Sequence, residues 1–235
     1  MNNVYFTSDT HWGHKNIVRG TTEWEGSPQR TRDFDTLEEH NQVLIDNING
    51  MVKENDTLYH LGDWSFGGIN NIWEFRRQLN CKNIHLILGN HDHHIERNTL
   101  FYEGGDYTKK QILPQELFSS VQHYKEISFK IDSQVSGRYG KTKIVLCHYA
   151  MRVWNNSHHG SIMLYGHSHG SLDAFTPETS NPTWIGDQYF IKNYRTMDVG
   201  VDTNNLYPYH LDEIVEKMRY KEVLLEVDHH SELTN

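Results

Sequence analysis

Aspartate, asparagine and histidine side chains close a series of apolar segments in this chain, and these residue types are oxygen and nitrogen donors suited to divalent metal ions. Asp9 and His11 stand two apart, as do His167 and His169, so at an extended strand end both members of each pair point the same way. Asp63 follows Gly62 and Asn90 follows Gly89, and glycine lets a backbone turn sharply and approach an ion closely. His148 ends another apolar run. Each residue also has a plainer reading. Asp63 fits a turn, Asn90 a left-handed loop position, and His148 a hydrogen-bonded histidine near the core. Five strand termini that all carry ligand-type side chains are much harder to obtain from structural roles. The set is therefore read as a metal site built from Asp9, His11, Asp63, Asn90, His148, His167 and His169.

The segments that must position these residues are 4–9, 57–63, 84–90, 143–148 and 162–167. Their near-continuous apolar character suits strands buried on both faces. Between them, Leu37, Val43, Leu44, Ile45, Ile48 and Met51 recur at roughly helical spacing and predict a helix over 35–52, with Thr36-Leu37-Glu38-Glu39 as a capping-box candidate. Ile72, Trp73, Phe75 and Leu79 predict a second helix over 70–79. Alternation of strand and helix points to an α/β architecture, in which reactive groups gather where strands end and loops begin. Residues 126–132 and 143–148 read as a hairpin joined across Ser136-Gly137-Arg138-Tyr139-Gly140. The stretch 171–196 reads as a long loop over the site or an added hairpin, 197–202 as a short strand, and 211–220 as a helix. With no internal repeat or linker, residues 1–235 are expected to form a single domain.

A chain of 235 residues buries a proper core without disulfides. Its apolar runs fall far short of the ~20 residues that cross a bilayer. The N-terminus lacks the basic start and long apolar stretch of a secretory signal, so a cytoplasmic location is expected. Cys81 and Cys147 form no CxxC pair and read as small residues packed near strands. A formal charge of -9 argues against a protein that coats duplex nucleic acid through phosphate contacts. A local cationic pocket for one phosphate stays compatible with it. The 17 histidines fit either a metal site or tolerated surface positions.

In their order along the chain, Asp9-Thr10-His11, Gly62-Asp63, Gly89-Asn90-His91-Asp92, His148 and Gly166-His167-Ser168-His169 resemble the five blocks of the calcineurin-like metallophosphoesterase superfamily. Thr7-Ser8-Asp9-Thr10-His11-Trp12-Gly13-His14, His148-Tyr149-Ala150-Met151-Arg152 and Val199-Gly200-Val201-Asp202 look close to a compact prokaryotic and phage-type branch. The resemblance implies a four-layer α/β/β/α sandwich. It implies one metal held by Asp9, His11, Asp63 and His169 and another by Asp63, Asn90, His148 and His167, with Asp63 bridging. It also implies His91 beside the leaving group, oriented by Asp92. One block departs from the wider pattern: many members continue after Gly-Asp with a further Asp and Arg, whereas this chain reads Gly62-Asp63-Trp64-Ser65-Phe66-Gly67. This stretch offers no arginine for a substrate contact.

Two divalent ions, two aspartates and a bridging hydroxide sum to roughly +1, and the neutral Asn90 and histidines leave that surplus to a phosphoester. Metals ~3.5–4 Å apart would hold the hydroxide in line with phosphorus while His91 protonates the leaving oxygen. The expected activity is hydrolysis of a phosphomonoester or phosphodiester, with a small phosphorylated molecule or nucleotide as substrate. Manganese is the first expectation for the two ions, and iron, zinc, nickel and magnesium are chemically admissible. His14 and Arg152 are candidate phosphate contacts, against loop hydrogen bonding and surface ion pairing. The pairs His93-His94, His158-His159 and His229-His230 read as solvated loops, because adjacent side chains usually point apart. Trp12, Trp64 and Trp154 fit either nucleobase stacking or packing under loops. Two other functions compete: a nuclease for short single strands, and a non-catalytic scaffold that would be expected to lose ligands or His91.

Overall fold

Strands that are apolar on both faces need cover on both, and the chain supplies it by stacking two sheets, with helices over the outer face of one and loop side chains over that of the other. The computed structural model describes residues 2–25, 31–130, 140–172 and 194–224. One sheet has the order β11-β1-β2-β3-β6, with β1 (Val4–Thr7), β2 (Thr57–His60), β3 (Asn83–Ile87) and β6 (Ser120–Gln122) parallel and β11 (Tyr209–His210) antiparallel at the edge. The other has the order β10-β9-β8-β7. In it β10 (Thr196–Asp198), β9 (Ile162–Tyr165) and β8 (Thr142–Cys147) are parallel and β7 (Tyr124–Phe129) is antiparallel to β8. A small hairpin of β4 (Phe101–Tyr102) and β5 (Gln111–Ile112) stands apart. The expected α/β class is the one the chain adopts.

Period-two alternation sends the apolar residues of the two main sheets to three clusters. Phe6, Tyr59, Ile87, Ile144, Leu146, Ile162 and Leu164 meet between the sheets. Tyr5, Leu58, Ile84 and Leu86 face the other way, onto Leu44, Ile45 and Ile48 of α1 (Leu37–Met51) and Ile72 and Phe75 of α2 (Ile69–Gln78). Val145, Cys147, Met163 and Tyr165 form the outer face of the second sheet and pack with Trp154 and Leu224. A short α3 (His93–Arg97) follows β3, and α4 (Leu211–Met218) sends Ile214, Val215 and Met218 into the inter-sheet cluster.

Most expected elements sit where the periodicity put them. Thr36 caps α1 by accepting from the Glu39 N–H at 3.1 Å. β7 and β8 form the expected hairpin ladder, while residues 131–139 of its connection lie outside the described residues. So do residues 173–193 of the stretch read as a loop or added hairpin. The strand expected over 197–202 is shorter. The Asp198 carboxylate accepts from the Gly200 N–H at 2.7 Å, and this local turn ends β10 before a 3-10 turn over Val201–Thr203. Cys81 and Cys147 are both buried free thiols, as small packed residues should be.

Candidate metal centre

All seven candidate ligands lie just past the C-terminal ends of strands: Asp9 and His11 after β1, Asp63 after β2, Asn90 after β3, His148 after β8, His167 and His169 after β9. Their local conformation differs from the extended one expected. Asp9 (φ 55°), His11 (46°), Asp63 (55°), His167 (67°) and His169 (48°) all occupy the left-handed region. For a residue with a Cβ that conformation costs on the order of 1 kcal/mol or more, and it persists only where the surroundings enforce it. Here they do. The Asp9 N–H donates to the Gly62 carbonyl at 2.9 Å and the His11 N–H to the Asp63 carbonyl at 3.0 Å. Thr10, fully buried between them, places its hydroxyl 2.7 Å from the Trp64 carbonyl and 2.8 Å from His60 Nε2. The loops also cross closely. A Cβ on Gly89 would lie 2.3 Å from Asp63 Oδ1, and one on Gly166 2.0 Å from Ser8 Oγ.

Two groups of donors converge in these loops. Ligand atoms of Asp9, His11 and His169 lie within 4.8 Å of one another, and so do those of Asp63, His148 and His167. Asp63 Oδ2 links the groups, 3.4 Å from His11 Nε2 and 3.6 Å from His148 Nε2. Asn90 Oδ1 stands 3.1 Å from His148 Nε2 and 3.0 Å from His167 Nδ1. His148 Nδ1 lies 2.7 Å from the Leu61 carbonyl, which assigns its proton to Nδ1 and leaves a lone pair on Nε2 aimed at the centre. His169 is arranged alike: Nδ1 lies 2.7 Å from Asp202 Oδ2, and Nε2 faces Asp9 Oδ1 at 3.8 Å. Both ring nitrogens of buried His11 lack a hydrogen-bond partner among the described residues. Buried polar atoms without partners are costly, and nitrogen and oxygen donors that converge on one point fit a cation. Burial pushes the Asp9 carboxyl up to about 8, with Asp198 and Asp63 adding to the rise against the field of His169. Burial, followed by the field of Arg32, holds the His11 imidazole well below its ordinary value and therefore neutral. The donor set thus fits divalent cations, which would relieve the buried carboxyl and occupy His11 Nε2, the orphaned nitrogen that faces Asp63.

The family model of the Calcineurin-like phosphoesterases matches residues 3–188. The chain belongs to this family. It is 26% identical to the Gene 66 protein of Mycobacterium phage D29, over 92% of this chain and 96% of that one. To the Gene 66 protein of Mycobacterium phage L5 it is 26% identical, over 73% and 80% respectively. These relatives fit the compact phage-type branch. An uncharacterized protein of Methanocaldococcus jannaschii is 36% identical across 39% of the chain, and the match spans 48%, about half, of that relative's length. The crystal structure of a protein of unknown function from Aquifex aeolicus superposes over 92% of this chain and 99% of its own with a TM-score of 0.56 at 21% identity, a likeness of fold.

Around this centre the remaining candidates divide. His91 is partly exposed, its N–H donates to Asp63 Oδ1 at 2.9 Å, and its Nε2 lies 4.0 Å from Asp63 Oδ2. Asp92 was expected to orient the His91 ring, and its carboxylate is committed elsewhere. It accepts from the backbone N–H groups of Asp63 at 2.8 Å, Trp64 at 2.9 Å and Gly89 at 2.8 Å. Asp92 therefore ties the loop after β2 to the loop after β3 and sets His91 only through the backbone. His14 lines the cavity over the centre, its ring stacked on Phe66 at 3.9 Å. Arg152 is exposed after β8 and is not among the residues lining that cavity. Trp12, Trp64 and Trp154 are buried packing residues, so the stacking alternative for them falls away. Neither His93-His94 nor His158-His159 joins a convergent donor group among the described residues, and His229-His230 lie outside them.

Two residues that matter most to the centre carried no assigned role in the sequence. Arg32, 7% exposed, spends all five N–H bonds beneath the site. They reach Asp202 Oδ1 and Oδ2 at 2.8 Å each, the Thr10 carbonyl at 2.8 Å, the Asp9 carbonyl at 2.6 Å and His40 Nε2 at 3.0 Å. Asp202 in turn holds His169. Burial alone would raise the Asp202 carboxyl, but Arg32 and then His169 hold it well below the usual carboxylate range. The motif Val199-Gly200-Val201-Asp202 was the available signal for Asp202; Arg32 belonged to no pattern.

Proposed function

We propose that this chain hydrolyses a phosphomonoester or phosphodiester, with Asp9, His11, Asp63 and His169 holding one divalent cation and Asp63, Asn90, His148 and His167 a second. The observation that carries the reading is the placement of Asp63 Oδ2 within 3.6 Å of donor nitrogens in both groups, the position a bridging ligand must take. Bound there, divalent cations supply Lewis acidity toward phosphoryl oxygens and lower the pKa of water. Asn90 contributes an oxygen without a further negative charge, so the centre keeps a positive surplus for an anionic ester. Asp202 and the Leu61 carbonyl hold His169 and His148 in the tautomers that turn lone pairs inward.

His91 is the residue placed to move a proton. Its imidazole borders the cavity, and its backbone N–H donates to the Asp63 carboxylate, which keeps the residue beside the centre. As a bond forms from a water oxygen to phosphorus, the bond to the leaving oxygen breaks. His91 donates its proton to that oxygen, and a proton from the attacking water restores the imidazolium. Manganese is the expected ion, with iron, zinc, nickel and magnesium compatible with the same donors.

The test is reconstitution with each ion, followed by assays on an aryl monoester, an aryl diester, cyclic nucleotides and short oligonucleotides, alongside metal counts for the native chain and Asp63→Ala. Turnover of at least one ester and loss of the paired ions in the variant are expected. Inactivity with every ion would return the scaffold reading, and two tightly held ions in Asp63→Ala would overturn the bridge.

A further inference from the structure

We infer that the cavity wall beside His91 is a stacking site for a nucleobase, and that the esters cleaved here carry one phosphoryl group and a base on the leaving side. The inference rests on the phosphoesterase reading for its chemistry and on a separate set of residues for its binding. Those residues are Phe66, His14 and Trp24. All three line the cavity of about 780 Å³ over the centre, far more room than a phosphate alone requires and within the range of small-molecule sites.

The wall begins at the catalytic candidate and runs outward. The Phe66 ring centroid lies 5.1 Å from that of His91 and 3.9 Å from that of His14, which stacks on it. His14 then meets Trp24 edge to face at 5.8 Å. Trp24 is 49% exposed, a large apolar ring left in water at the mouth of a cavity whose floor is polar. Indoles and phenyl rings in such a position offer a base its π-face, and stacking contributes about 1–3 kcal/mol per base. The wall runs outward from His91, so a base stacked on it lies on the side of the centre where His91 would protonate the leaving oxygen.

Cationic recognition is correspondingly thin. After Asp63 this chain has Trp64, Ser65 and Phe66, none of them cationic. Trp64 and Ser65 are buried, and Phe66 is the side chain of the three that lines the cavity. Among the described lining residues Arg32 is the one arginine or lysine, and its five donors are already spent on Asp202, Asp9, Thr10 and His40. A second phosphate would find no free lysine or arginine among these residues, whereas a planar ring finds the exposed Trp24 indole, backed by the stacked pair of His14 and Phe66. A polyphosphate or a strand followed along its backbone is disfavoured by the same geometry.

Two measurements test this. In the metal-free protein, the Trp24 indole N–H resonance, assigned through Trp24→Phe, is followed by NMR as adenosine is added. A saturable shift in the millimolar range is expected, and an unmoved resonance overturns the base site. In the manganese-loaded protein, kcat/KM is compared for base-bearing and glycerol esters matched as monoesters and as diesters. The preference for the base-bearing ester should fall at least ~5-fold in Trp24→Ala, chiefly through KM, and return in Trp24→Phe. An unchanged preference in Trp24→Ala refutes the inference while leaving the phosphoesterase reading intact. Adenosine binding at Trp24 in a protein that cleaves no ester refutes the reading and keeps the base site.

Discussion

Replacing Asp202 with asparagine separates what the loops hold together from what the metal centre needs. The carboxylate does three things at once: it accepts from His169 Nδ1 at 2.7 Å and from two guanidinium nitrogens of Arg32 at 2.8 Å each. An amide of the same shape has one oxygen and no charge, so it cannot serve both partners. For His169 the expected loss is ~10–100-fold in metal affinity, the usual effect of removing the group that orients a histidine ligand. That corresponds to about 1.4–2.7 kcal/mol. Stability suffers separately. Breaking a fully buried ion pair costs ~3–5 kcal/mol. Arg32 keeps three other acceptors and the Asp202 side chain is 20% exposed, so about 2–3 kcal/mol is expected here. Calorimetric titration with Mn²⁺ against a competing chelator reads the first quantity, and urea unfolding in EDTA reads the second. A folded Asp202→Asn protein that binds Mn²⁺ as tightly as the native chain would refute the positioning of His169, even if its stability fell.

Three further outcomes follow from the same geometry. His91→Asn should retain both ions while losing most turnover on alkyl esters, whose leaving groups need a proton, with a smaller loss on aryl esters; equal rates on alkyl esters would remove His91 from the proton step. Gly166→Ala would drive a Cβ to 2.0 Å from Ser8 Oγ and 2.5 Å from Asp9 Oδ2, so urea unfolding of the metal-free variant should show a loss of about 1–3 kcal/mol. Fully buried His40 has a pKa lowered from 6.5 to about 4 by burial and then by Arg32. Above pH 6.5 folded and unfolded chains both hold it neutral. As pH falls toward 4 the unfolded chain takes up a proton that the folded one refuses, so stability drops by about 1.4 kcal/mol per pH unit from this group. The metal-free His40→Gln variant should lose that slope between pH 6.5 and 4; profiles of equal slope in the two proteins would contradict the assignment.

The sequence by itself determined the strands, the two long helices and the order in which ligand-type residues follow the strands. These features are local. A strand buried on both faces must be apolar throughout, and a side chain at its C-terminal end must face the loops where chemistry gathers. Tertiary structure decided how the ligands are aimed and what supports them. Asp9 and His11 converge through left-handed turns rather than through extended alternation, because hydrogen bonds to β2 and the loop after it, 50 or more residues away, enforce a conformation that local preference resists. Asp92 lies beside His91 in sequence, yet its carboxylate faces three backbone N–H groups gathered from two loops. The ion pair of Arg32 with Asp202 spans 170 residues, and the ring wall of Phe66, His14 and Trp24 draws on separate loops. Such partners leave no periodic trace, since their spacing along the chain is set by where the sheets bring loops together.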